Sequence, residues 1–174
     1  DVLLGLPDAA PVQQVVLDRD QNDNQFNRDT VQAAQAEIRH VVDAIHGQGD
    51  VPPNAGHSSG IYAVDVSPYL LGIVLGRVFE PHEVIANNEL NSFRTTHDGK
   101  YVGVERANPT ETWLASMADY AAQYETEKYN QQRALGIINW PGLDPLSHPS
   151  EAPLREEIAF RRSSGERSAS MPDE

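Results

Sequence analysis

Two short apolar runs constrain this chain more than any other feature. The first is Tyr69-Leu70-Leu71-Gly72-Ile73-Val74-Leu75-Gly76, and Arg77, Glu80 and Pro81 follow it. The second is Ala134-Leu135-Gly136-Ile137-Ile138-Asn139-Trp140, and Pro141, Gly142 and Asp144 follow it. Each run is the length of a buried strand and carries β-branched residues, although helix competes for 69–76 because short apolar runs are ambiguous. A buried strand of this kind delivers polar groups at its C-terminal end. In α/β folds that end is where sites are built.

The rest of the pattern alternates helix and strand. Val12–Leu17 is β-rich and reads as a short strand. Thr30 is a plausible cap for a helix that runs to Ile45, with Val31, Ala34, Ile38, Val41, Val42 and Ile45 at helical spacing. Gly47 and Gly49 end it, and 47–60 reads as loop. Ile61–Val66 is an extended piece or a second strand. Residues 77–108 are broken by Pro81, Asn87-Asn88 and Asp98-Gly99, with room for a short helix from Pro81 to Leu90. Pro109-Thr110-Glu111 opens a second long helix to about Gln132, its buried stripe marked by Trp113, Leu114, Met117, Tyr120, Ala121 and Tyr124. Proline-rich sequence after 141 precedes a short helix around Leu154–Phe160. This order predicts an α/β fold with a parallel sheet. The expected organisation is one domain over 1–160, and the polar, Ser-rich composition of 161–174 predicts a disordered tail. A closed (β/α) barrel typically needs about 250 residues, so 174 residues are expected to give an incomplete, barrel-like sheet, unless the chain is a fragment or pairs with another chain.

Charge removes some partners. The chain carries 13 Lys and Arg against 26 Asp and Glu, a net charge of -13. Nucleic-acid binding draws on Lys and Arg to displace phosphate counterions, so it is disfavoured, as is docking on anionic lipid. No run reaches the ~18–20 apolar residues of a membrane span. The absence of cysteine excludes disulfides and thiolate metal sites. The compartment stays open, an extracellular or cell-surface place being slightly favoured.

Four groups could carry chemistry. Glu80, at the end of an apolar strand, could act as an acid or base; the bland reading is a loop or helix-start glutamate. Asn88-Glu89 could pair a substrate-orienting amide with a second carboxylate, against the alternative of a helix C-terminus. Asn139, Trp140 and Asp144 could offer an aromatic platform and hydrogen bonds to a sugar ring, or fill the core rim and a turn. His57, Tyr62 and Asp65 sit on a Gly-rich segment where a His–Asp relay is conceivable. No zinc spacing is present among the six histidines. Asp18, Asp20, Asn22 and Asp29 stand at positions 1, 3, 5 and 12 of a calcium-like loop, but Asp23 replaces the turn glycine, and a solvated acidic loop is the alternative.

Several of these segments resemble bacterial proteins of the TIM-barrel glycoside hydrolase superfamily. They include Gly56-His57-Ser58-Ser59-Gly60-Ile61-Tyr62, Asp65-Val66-Ser67-Pro68-Tyr69, Leu75-Gly76-Arg77-Val78-Phe79-Glu80-Pro81, Asn108-Pro109-Thr110-Glu111-Thr112-Trp113 and Asn139-Trp140-Pro141-Gly142-Leu143-Asp144-Pro145. The resemblance spans roughly 36–152. It implies carbohydrate as partner, Glu80 as the acid, and Trp140 and Asp144 on the same rim. A second catalytic glutamate on a late strand has no counterpart here. A non-enzymatic subunit, in a homo-oligomer or with a partner chain, is the competing expectation.

Overall fold

The computed structural model describes residues 12–53 and 58–138. The elements are β1 (Val12–Val15), α1 (Arg28–Ile45), β2 (Gly49–Val51), β3 (Gly60–Tyr62), a 3-10 turn (Ser67–Tyr69), β4 (Gly72–Leu75), α2 (Pro81–Leu90), β5 (Thr96–His97), β6 (Val104–Glu105), α3 (Pro109–Tyr129) and β7 (Ala134–Ile137). The two apolar runs are strands, and they lie side by side. β4 pairs in parallel with β1 on one side and β7 on the other, with Val15, Leu75 and Ile137 in register. The three-stranded sheet is therefore parallel and in chain order, as the helix-strand alternation predicts. Its described residues close no barrel. The expected helix at Leu154–Phe160 and the tail 161–174 lie outside the described residues.

Local chemistry sets the helix boundaries. Asn27, not Thr30, caps α1, its side chain accepting the Asp29 N–H. Asn108 and Glu111 form a capping box at the start of α3, with Pro109 in the first turn. Ala34, Ile38, Val42 and Ile45 of α1 meet Trp113, Met117, Ala118 and Ala121 of α3 in one core. The sheet contributes Val15, Ile73 and Leu75 from the face turned towards these helices. Val12, Gln14 and Val74 alternate to the other face and are only half-buried, as period two requires.

Two small hairpins interrupt the alternation. β2, inside the stretch 47–60 expected as loop, pairs antiparallel with β3, which overlaps the start of the extended piece expected at Ile61–Val66, and β5 pairs with β6 within 77–108. Three-residue and two-residue strands are too short to show a period. Gly47 makes the turn from α1 into β2. Its φ is +67°, and a Cβ there would stand 2.6 Å from the Asp65 nitrogen, so only glycine fits.

Beside the lower end of α1, Asp43 accepts hydrogen bonds from the hydroxyls of Tyr129 (2.6 Å) and Tyr124 (2.9 Å) and from Lys128 Nζ (2.8 Å). Burial, with the bond to Asp43, pushes the Tyr129 hydroxyl up to about 12. The folded state resists ionising this group. Its contribution to stability is full below the ordinary tyrosine value near 10 and is lost as pH rises through 12. Tyrosinate absorbance titrated in the folded protein should therefore show a late step that Tyr129→Phe removes. A titration unchanged by that substitution would refute the assignment.

Candidate functional site

The C-terminal edge of the sheet is the best-built polar region. Gly76 N–H donates to Val15 O (2.9 Å), and Gln14 Nε2 donates to Gly76 O (3.0 Å), so the loops after β1 and β4 leave the sheet together. A positive φ of 97° at Gly76 turns the chain onto the rim. Phe79 then drops into the core, edge-on to Trp113 with centroids 6.0 Å apart. That anchor leaves Glu80 at the start of α2.

Glu80 is the N-cap of α2 and shares a capping box with Glu83; its own N–H donates to Glu83 Oε2 at 3.0 Å. Glu83 is 6% exposed. Arg19 Nη1, from the loop after β1, reaches its Oε1 at 2.8 Å, and Arg77 Nη2, from the loop after β4, reaches its Oε2 at 2.7 Å. Burial raises the Glu83 carboxyl, but the Arg19 bond, the Glu80 N–H and Arg77 together outweigh it and hold the group below its ordinary value. Glu83 is thus a fixed anion at neutral pH. It cannot donate a proton, and it pins the backbone of Glu80 instead.

A second tier ties α2 to its neighbours. Buried Asn87 accepts the Gln25 N–H (3.0 Å) and donates to Thr110 Oγ1 (2.9 Å). Asn88 Oδ1 accepts both the N–H and the hydroxyl of Thr110, each at 2.9 Å. Through its Oδ1, Asn88 clamps α2 to α3. Glu89 is exposed nine residues along the same helix from Glu80, roughly 13 Å by helical rise. The two do not form a compact pair of carboxylates.

The other expected residues go elsewhere. Tyr62 lies on β3 and shares a hollow with Gln13, Ile45 and Leu70, next to the entering end of β1, away from Glu80. Asp65 accepts the Ser67 N–H at 2.9 Å and shapes a turn. His57, Asn139, Trp140 and Asp144 lie outside the described residues. The calcium-like loop is closed on itself. Asp20 accepts from the N–H groups of Asn22 (2.8 Å) and Asn24 (3.3 Å), from Asn27 Nδ2 (2.9 Å) and from Thr30 Oγ1 (2.7 Å). Its carboxylate is engaged by donors, so Asp18, Asp20, Asn22 and Asp29 do not fit a cation. Among the described residues no group of three or more His, Asp or Glu could hold a metal ion.

Arg19, Glu83 and Asn87 are the rim residues that the apolar pattern did not single out. One signal for Glu83 was present, since Glu80-Pro81-His82-Glu83 has capping-box spacing with proline in the first turn. No described helix is long and apolar enough to cross a membrane. The chain matches no protein-family model, no curated protein and no solved structure.

Proposed function

We propose that this chain is a glycoside-hydrolase-like, barrel-type α/β domain that contacts carbohydrate at the C-terminal edge of its sheet, with Glu80 as the acid. One observation carries the reading. Three parallel strands in chain order bring the loops after β1 and β4 to one rim, where Glu83 gathers Arg19 and Arg77 and fixes the backbone of Glu80. In barrel enzymes this edge carries the chemistry. Glu80 would protonate the leaving glycosidic oxygen, and Glu83 would hold it in place as a positioning residue.

The test separates binding from turnover. Affinity electrophoresis through gels containing plant, fungal or bacterial polysaccharides should retard the native chain. Glu80→Gln should keep that retardation and lower any hydrolysis by about 10²–10⁴-fold. Unchanged turnover in Glu80→Gln removes the acid from the scheme. No retardation in any gel removes carbohydrate.

A second reading rests on a separate feature, the half-buried far face of the sheet and exposed Val16 beside it. Parallel sheets are normally covered on both faces. A structural subunit in a larger assembly would cover this one. Light scattering of the eluted protein distinguishes the readings: a discrete oligomer without carbohydrate binding supports the second.

A further inference from the structure

A groove of about 840 Å³ runs between α1 and α3, with the segment Phe93–His97 also in its lining. Two arginines, Arg28 and Arg94, line it. The contrast with the rest of the molecule is one of charge. The chain has twice as many acids as bases, and among the described residues Arg19, Arg77 and Arg133 each bond a glutamate, whereas Arg28 and Arg94, like Arg39 and Arg106, meet no carboxylate. Asp119 is the one acid in the described lining. Its Oδ1 accepts the N–H groups of Tyr101 (2.7 Å) and Val102 (3.0 Å), and its Oδ2 lies 3.5 Å from Nε2 of His97, another lining residue. The other large groove, along α1 beside β1, is lined by Asp18, Asp20, Asp29 and Glu37 against Arg19 alone.

Arg94 is also held in place. Its guanidinium lies over the ring of Phe26 at 4.4 Å and near that of Phe93 at 5.3 Å. Phe93 is 75% exposed. A planar cation stacked on one ring and bordered by another, exposed one offers a charge and a flat apolar surface side by side. Gln32 and Gln123 add neutral hydrogen-bonding groups along the same groove.

We infer that this groove binds a small organic anion, a carboxylate or phosphate ester joined to a planar ring. The oxyanion would sit on Arg28 and Arg94 and the ring against Phe93. The site is remote in role from Glu80 and does not depend on the carbohydrate reading. Calorimetric titration of the intact chain with phenyl phosphate, inorganic phosphate and phenol tests it. Phenyl phosphate should bind at least tenfold more tightly than inorganic phosphate, and phenol should not bind measurably. Arg94→Ala should weaken phenyl phosphate by tenfold or more, Phe93→Ala by several-fold, and Glu80→Gln not at all. Both groove residues are exposed, so these variants should fold. The inference is overturned if phenyl phosphate fails to bind at millimolar concentration. It is also overturned if inorganic phosphate binds equally well, or if Arg94→Ala leaves the affinity unchanged.

Discussion

Glu125→Ala should destabilise the protein by about 3–5 kcal/mol, because it strands a buried cation. Glu125 is 2% exposed. Its Oε1 accepts Arg133 Nε at 2.6 Å and His46 Nε2 at 2.9 Å; the imidazole must be the donor, since an ionised carboxylate can only accept. Arg133 continues to the carbonyls of Ser67 (3.3 Å) and Leu70 (3.2 Å), in the turn that leads into β4. The His46 ring stacks on Tyr129 at 3.8 Å. One carboxylate thus joins the end of α1, the body of α3, the approach to β4 and the start of β7. Without it the Arg133 guanidinium remains buried against carbonyls with its charge unbalanced. For a chain of this size each kcal/mol moves Tm by about 2–4 °C, so a fall near 10 °C is expected in thermal melting. Removing both charges tests the mechanism. Glu125→Leu with Arg133→Leu should recover much of the loss, giving a coupling of several kcal/mol in the double-mutant cycle. A single-variant loss under 1 kcal/mol would mean the pair behaves like a solvated surface contact.

This network explains why the sequence revealed some parts of the molecule and hid others. The apolar period of α1 is visible because a single face, Ala34, Ile38, Val42 and Ile45, is buried, and that of α3 because Trp113, Met117 and Ala121 mark its core stripe, although its burial extends further round the helix. The short helix at 81–90 is visible from its proline and acids. Glu83, Asn87, Glu125 and Arg133 are invisible to the same reading. A charged side chain carries no mark of burial until its partner is known, and these partners lie up to 79 positions away. Glu80 was legible because it follows a strand, and a strand has a direction. Sequence does not say at which edge of a sheet a loop emerges, so it cannot part Tyr62 from Glu80. The β2–β3 hairpin, which leaves from the end of α1, places Tyr62 beside the start of β1. The calcium-like spacing failed for a related reason. Asn and Asp in a tight loop can bond their own backbone as readily as a cation, and Asp20 does so.

Trp113 joins the core to the rim, and two substitutions there should part company. The ring is fully buried and is the largest side chain at the centre of the core. Trp113→Ala should cost about 3–5 kcal/mol by removing that contact area and leaving a cavity. It also removes the edge on which Phe79 rests, one residue before Glu80. Hydrogen exchange at the Glu80 amide, which is bonded to Glu83, should then quicken more than the global loss of stability accounts for. Trp113→Phe should behave differently. The indole Nε1 is buried without a hydrogen-bond partner among the described residues, a situation that costs about 1–3 kcal/mol. Phenylalanine gives up some packing but removes the unmatched donor. The two effects oppose each other, so its stability in urea unfolding should stay within about 1 kcal/mol of the native chain. If Trp113→Phe proves as damaging as Trp113→Ala, the N–H must have a partner after all. If the Glu80 amide exchanges no faster in Trp113→Ala than global unfolding allows, Phe79 is not what holds the rim, and the capping box with Glu83 alone positions the proposed acid.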